Sequence, residues 1–300
     1  MFDIVGKRPY YFAISAILVL GSVIAILVLG LNPGIDFSSG SVTTLSFEQG
    51  ADPAEVKDEL SRLGYVARVE EWQNDLIIHT VQLSAAEKTG LEQSLEERFG
   101  AVEEKGFESV DPIIAEETAR TAGIAVAISA AGILVYLTWA FRRMPRPFHY
   151  GVCAVVALIH DVVVVLGVFA VLGGILGWEV NLMFIIGVLA VIGYSVNNTV
   201  VVFDRVRENL QRGISTRFDV VVNNSLVETL SRSLNTSLTT LAVVLSLVLF
   251  VGASIQNFAV VLLVGVIAGT YSSLFVAPQL LAVWERGQWS GFLRRPSLTT

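Results

Sequence analysis

The sequence has little of several features that mark common classes of soluble protein. Only 16% of its 300 residues are charged, whereas a soluble domain carries about 25%. There is one cysteine, Cys153, which excludes a disulfide scaffold. The net charge of −7 and the lack of a basic stripe argue against a nucleic-acid partner. No nucleophile–base set, phosphate loop or zinc spacing occurs, so we expect neither an enzyme nor a bound metal or cofactor.

What the chain does have is apolar sequence in long runs. Its hydrophobic fraction is 53% and its mean hydropathy is +0.66, which is too apolar for a disordered chain. Crossing a bilayer takes roughly 20 apolar helical residues. Six stretches qualify, with approximate limits 11–31, 121–141, 150–172, 181–203, 232–252 and 256–283. The sequence therefore predicts an α-helical polytopic membrane protein with six transmembrane helices.

Charge predicts the orientation. Arginines and lysines lie before the first stretch and after the second, fourth and sixth, whereas residues 32–119 hold 19 acidic and 6 basic residues. Since basic loops stay in the cytoplasm, we expect both termini on the cytoplasmic side of the membrane and 32–119 on the other side. The predicted segments are a cytoplasmic N-terminus with the first span (1–31), an extracytoplasmic domain (32–119), five further spans (120–283) with a cytoplasmic loop (204–231), and a cytoplasmic tail (284–300).

The acidic segment is patterned as a small α+β domain. Ser41–Phe47 alternates like a half-buried strand, and Asp52 and Ser84 each begin a helix, the latter with Glu87 as a capping box. The order β-α-β-β-α-β predicts a ferredoxin-like domain. Its many glutamates form either a solvated face or a binding surface for basic or unfolded polypeptide.

Two further patterns concern helix contacts. In the predicted inner loop, Phe203, Val206, Leu210 and Ile214 recur at helical spacing. They predict an amphipathic helix, either lying among lipid head groups or docking a cytoplasmic partner. In the sixth stretch, Gly265 and Gly269 are spaced for close helix packing.

Polar residues inside predicted spans are costly and indicate function by default. One cluster occurs in each of the third, fourth and fifth spans. They are His160 and Asp161; Asn197, Asn198 and Thr199 with Ser195; and Arg232, Asn235, Thr236, Thr239 and Thr240. The last set follows one helical face and should face protein or water.

A cation path is the functional interpretation of these clusters. Such a path needs a titratable group near a fixed charge. Asp161 is the carboxylate well inside a span, and Arg232 is the fixed charge. If the fourth and fifth spans pack together, we expect Asn198 and Arg232 to meet in the bundle interior. The alternatives are interhelical hydrogen bonding for Asp161 and the threonines, and a snorkelling side chain for Arg232.

Four motifs resemble those of the SecF family of protein-export subunits, within the resistance-nodulation-division superfamily. Gly34, Ile35, Asp36 and Phe37 are similar to its GIDF signature after the first span. Residues 157–162 resemble its third-span motif, 193–209 its fourth-span motif and 231–240 its fifth-span motif. The resemblance covers most of the chain, and the fourth-span motif is very specific.

The resemblance implies a mechanism. The family pairs with SecD beside the SecYEG channel and uses a cation gradient, usually of protons, to pull translocating preprotein outward. Its coupling residues are an arginine, here Arg232, an aspartate of SecD, and an aspartate at the position of Asn198, which cannot ionise. That change is either engineered, or natural with protons routed through SecD and Arg232, or a sign of another cation or weak coupling. Ser39 stands where a glycine is usual.

Two other functions remain open. A structural subunit that only stabilises SecD or the channel fits Asn198. Half of a small-molecule or lipid exporter of the same superfamily fits the span plan, although the outer domain, at about 80 residues, is small for such a protein. Membrane lipids surround the chain in every case.

Overall fold

A computed structural model describes residues 3–72, 74–250 and 252–287. The arginines of the predicted tail at 294 and 295 lie outside these residues. Contacts divide the chain into two units. We call residues 32–123 with 179–182 the α/β unit, and residues 1–31, 124–178 and 183–300 the helical unit.

The α/β unit contains a four-stranded antiparallel sheet in the order β2-β3-β1-β4. With two long helices between the strands, this is the predicted ferredoxin-like fold. Its elements are α2 (Ile35–Ser38), β1 (Gly40–Phe47), α3 (Pro53–Arg62), β2 (Arg68–Trp72), β3 (Asp75–Thr80), α4 (Ala85–Phe99) and β4 (Val102–Val110), with α5 starting at Pro112.

The sequence explains these elements locally. The Asp52 carboxylate caps α3 by accepting the Ala54 N–H at 2.7 Å, and Ser84 and Glu87 form the predicted capping box on α4. Alternate side chains of β1 and β3 point to one face, where they join the helices in a core that includes the fully buried Leu60. Apolar burial therefore holds this unit together.

The helical unit has six segments long and apolar enough to cross a membrane. The helices are α1 (Arg8–Leu29), α5 (Pro112–Ala140), α6 (Pro147–Leu176), α7 (Leu182–Gln211), α8 (Phe218–Phe250), α9 (Ala253–Phe275) and α10 (Ala277–Glu285). The predicted sixth span is two helices, because Pro278 cannot continue α9. The predicted fold class is confirmed.

Residues 204–231 do not form the separate interfacial helix that the apolar spacing predicted. Helix α7 continues to Gln211 and α8 already begins at Phe218. Phe203 and Val206 are fully buried in the interior of the unit, whereas Ile214 is exposed. The apolar stripe thus packs on protein, because the two helices extend well beyond their hydrophobic stretches.

Candidate functional site

The Asp161 side chain of α6 is buried where α6 meets α7 and α9, and we call this place the junction. The Asp161 Oδ2 accepts hydrogen bonds from Ser195 Oγ of α7 at 2.7 Å and from Ser272 Oγ of α9 at 2.8 Å. His160 Nδ1 lies 3.0 Å from the other carboxylate oxygen. The side chain is fully buried. One carboxylate of α6 therefore joins α7 and α9 where apolar packing alone gives little specificity.

Close approach of α7 and α9 makes this junction possible. A Cβ at Gly265 would lie 2.1 Å from Val191, and one at Gly269 would lie 3.0 Å from Ser195. The glycine spacing thus permits the contact that it predicts. It also sets the distance over which Ser195 of α7 and Ser272 of α9 reach the same carboxylate.

The polar run in α7 divides between two environments. Asn198 and Thr199 are buried, whereas Asn197 is exposed. Thr199 donates to the Ser195 carbonyl of its own helix at 3.1 Å. The Asn198 amide nitrogen has no hydrogen-bond partner among the residues that the structure describes. A buried unpaired donor is costly and requires an explanation.

Helix α8 has two polar faces. Ser237, which is buried, accepts from Tyr194 Oη at 2.9 Å and from Thr270 Oγ1 at 2.7 Å, and so joins α8 to α7 and α9. The other face carries the predicted stripe. Arg232, Asn235, Thr236 and Thr239 are exposed and Thr240 is half-buried. All three threonines donate to carbonyls of their own helix.

The expectation that Arg232 lies in the bundle interior beside Asn198 is wrong for this chain. Arg232 is exposed, and within residues 3–72, 74–250 and 252–287 no side chain forms an ion pair with it. The pairing contacts of Asp161 go to His160, Ser195 and Ser272 instead. The reason is helix rotation: α8 turns its serines inward and its arginine outward.

The GIDF signature lies against the segment that joins α6 to α7. The Gly34 N–H donates to the Val180 carbonyl at 2.8 Å. The Asp36 carboxylate accepts the N–H of Leu182, the first residue of α7, at 2.8 Å. Ile35 is buried, and Phe37 is half-buried.

Glu179, in the same segment, belongs to a charge cluster on the sheet, in which Glu179 and His79 are half-buried and Arg68 is exposed. It pairs with Arg68 of β2, and its Oε1 lies 3.2 Å from His79 Nδ1 of β3. Burial raises the pKa of Glu179 to about 7. Burial, with the Arg68 charge, lowers the pKa of His79 to about 4.

No group of three or more histidine, cysteine, aspartate or glutamate side chains is arranged to hold a metal ion in the part of the chain that the structure describes. Sequence reasoning missed Ser272, Ser237, Thr270 and Glu179. Serine and threonine are common in transmembrane helices, and only the helix packing distinguishes those that bridge.

These features define a class: a multi-pass membrane protein with a buried polar junction and a ferredoxin-like domain inserted after the first span. Residues 90–287 match the family profile "Protein export membrane protein SecD/SecF, C-terminal", and residues 24–51 match the "SecD/SecF GG Motif" profile. The chain belongs to the SecD/SecF family of protein export membrane proteins, on its SecF side.

Full-length relatives agree. Protein translocase subunit SecF of Anaerolinea thermophila is 40% identical over 98% of both chains, and that of Thermobaculum terrenum is 38% identical with the same coverage. Protein translocase subunit SecDF of Bacillus subtilis is 33% identical over 94% of this chain, and the match covers 38% of the longer SecDF protein. The crystal structure of Thermus thermophilus SecDF, a translocon-associated membrane protein, matches 95% of this chain and 39% of its own, with TM-score 0.85 and 31% identity.

Proposed function

We propose that this chain works as the SecF half of a SecD–SecF pair. In this role the pair uses the proton or other cation gradient to pull translocating preprotein outward from the SecYEG channel. The chain lies in a bacterial inner membrane with its termini in the cytoplasm and residues 32–119 outside. The single observation that carries the proposal is the exposed polar face of α8 with Arg232 on it.

An arginine in a membrane-spanning helix must find a protein or water environment. At the centre of a helix facing lipid it costs roughly 2.5–3.5 kcal/mol on insertion scales. When this chain is considered by itself, the Arg232 side chain is exposed. In the membrane, a partner subunit would supply the protein environment that it needs. The SecDF relative, in which this chain corresponds to 38% of the length, indicates SecD as that partner.

The titratable group of the coupling site then comes from two sources. Asn198 cannot release a proton, although its shape resembles that of a neutral aspartic acid. Two carboxylates are left: Asp161, which is fully buried and bonded to Ser195 and Ser272, and an aspartate of SecD near Arg232. We place the exchangeable proton on the SecD carboxylate beside Arg232, because Asp161 already accepts two hydroxyl donors.

The test is gradient-driven export in vesicles that contain this chain, its SecD and the channel. Arg232→Met keeps an unbranched stem and removes the charge, and we expect it to abolish the gradient-dependent increment. Arg143→Met is the matched control, since Arg143 is also exposed but lies in the segment between α5 and α6. Asn198→Asp should raise the response of the pair to a proton gradient.

A structural subunit without its own coupling is the second candidate, and Asn198 is the observation that favours it. That function predicts equal export with the Arg232→Met, Arg143→Met and parent chains. Such a result would overturn the coupling proposal while leaving the assembly with SecD intact, which co-purification of the two subunits measures separately.

A further inference from the structure

The connection between α6 and α7 is short, residues 177–181, and most of it packs as part of the α/β unit. Residues 179–182 belong to that unit, while residues on either side of them belong to the helical unit. Besides the Gly34 bond, the Val180 N–H donates to the Asn32 carbonyl at 2.7 Å. Two backbone hydrogen bonds therefore join the connection to the chain just before α2.

Gly34 leaves space for this close approach. A Cβ there would lie 3.0 Å from both Asn181 Cβ and Glu179 Oε2, and 3.4 Å from the Val180 carbonyl. Its φ is −70°, so the requirement is space and not backbone conformation. The first residue of the family signature is thus explained by contact with the α6–α7 connection.

Asp36 supplies the second contact, at the start of α7. The first four N–H groups of a helix have no partner within it, and Asp36 accepts one of them from Leu182. Its negative charge also lies at the positive end of the helix dipole. A residue 146 positions away along the chain thereby serves as a cap.

Glu179 supplies the third contact, in the middle of the connection. It reaches Arg68 and His79 on neighbouring strands β2 and β3, which are paired in register at these residues. The side chains of His79 and Ile78 point to opposite faces, and Ile78 is in the helix-covered core. Glu179 therefore docks on the helix-free face of the sheet.

We propose that Asp36 and Glu179 are positioning residues that clamp the α6–α7 connection and fix where α7 begins. Ser195 and Asn198 lie about 20 Å further along the same helix, so a change in where α7 begins would shift both residues along the chain of helical turns. The clamp itself is independent of the coupling mechanism. Its effect on export rests on the proposed function.

Hydrogen exchange of the full chain with its SecD tests the clamp directly. Asp36→Ala should speed amide exchange at residues 180–183 about fivefold, the effect of losing a helix cap. Asp36→Asn should stay near the parent, because its amide oxygen also accepts the Leu182 N–H. Glu179→Ala, which removes the whole carboxyl group, should speed exchange at 179–181.

Asp52→Ala is the matched control. Asp52 makes the same kind of contact on α3, with a carboxylate accepting the Ala54 N–H at 2.7 Å, and its loss should change exchange only at the start of α3. In export vesicles, Asp36→Ala should lower the gradient-dependent increment about fivefold, Asp36→Asn should restore it, and Asp52→Ala should leave it unchanged.

Three results would count against the clamp or its role. Unchanged exchange at 180–183 in Asp36→Ala and at 179–181 in Glu179→Ala overturns the clamp. If exchange is faster but export equals that of the parent chain, the clamp does not position α7 for export. An equal loss of export in Asp36→Ala and Asp52→Ala would lead to the same conclusion. If the parent itself does not respond to the gradient, the proposed function fails, and exchange alone decides the clamp.

Discussion

Both units bury apolar clusters, but the helical unit also buries a hydrogen-bonded carboxylate where three of its helices meet. The α/β unit buries an apolar cluster that includes Leu45, Leu60 and Ile78. The helical unit places a carboxylate, Asp161, at the meeting point of three helices and bonds it to two serines. Burying apolar surface drives folding in water, whereas lipid is as apolar as the side chains it replaces. Hydrogen bonds therefore provide specificity in the membrane and burial provides stability outside it.

The largest expected effect comes from the apolar core. Leu60→Ala removes a fully buried side chain and should destabilise the α/β unit by about 2–5 kcal/mol. Denaturant titration of the purified chain, followed by hydrogen exchange at β3, measures it. Protection in α6 and α7 should be retained, and its simultaneous loss would show that the two interiors do not unfold separately.

The polar junction should be weaker per residue. Asp161→Ala leaves the Ser195 and Ser272 hydroxyls without their acceptor, and each interhelical hydrogen bond in a membrane contributes about 0.6–1.7 kcal/mol. We expect about 1–3 kcal/mol in unfolding from bicelles. Ser233→Ala, at a buried α8 position away from this carboxylate, is the comparison. An Asp161→Ala loss as large as that of Leu60→Ala would erase the distinction between the two interiors.

Backbone conformation gives a smaller effect of opposite sign. Ser39 has φ +62° and ψ +167°, a region that glycine alone adopts freely and that costs other residues about 1–3 kcal/mol. Ser39→Gly should therefore raise the stability of the α/β unit by about 1 kcal/mol.

The neighbouring Gly40 provides the comparison. A Cβ at Gly40 would lie 2.6 Å from the Thr80 carbonyl oxygen, and Gly40→Ala should therefore destabilise the same unit. Thermal unfolding compares the two, and a lower melting temperature for Ser39→Gly contradicts the strain argument.

The smallest expected effect is the pH dependence of the parent α/β unit between pH 4.5 and 6.5. The pKa of Glu179 is raised from 4.5 to about 7, so its contribution is full below pH 4.5 and is lost as pH rises to about 7. The pKa of His79 is lowered from 6.5 to about 4, so its contribution is full above pH 6.5 and is lost as pH falls to about 4. The two slopes oppose each other.

Single variants should reveal each slope. In His79→Gln the unit should lose stability as pH rises from 4.5 to 7, and in Glu179→Gln it should gain stability as pH rises from 4 to 6.5. Denaturation midpoints at four pH values measure both. Slopes of the same sign in the two variants would show that these side chains do not titrate as their burial requires.

Much of the fold followed from local patterns. Hydropathy located six spans, and the capping residues Asp52 and Ser84 located the helices of the α/β unit. The interior contacts did not follow, because they depend on which way each helix faces. Helix α8 has serines on one face and Arg232 on another. Since both faces carry polar residues, the sequence does not show which of them faces the interior. Sequence favoured Arg232 for the interior, whereas packing placed Ser237 there.

By itself the sequence determined the number of spans, the order of strands and helices, and the family motifs, because each depends on residues close together in the chain. Only the tertiary structure decided that Asp161 joins α7 to α9, that Arg232 faces outward, and that Asp36 caps a helix beginning at Leu182. Those contacts join residues far apart in sequence. Close packing at Gly34, Gly265 and Gly269 helps to set their geometry. Hydropathy does not indicate which residues will pack against a glycine.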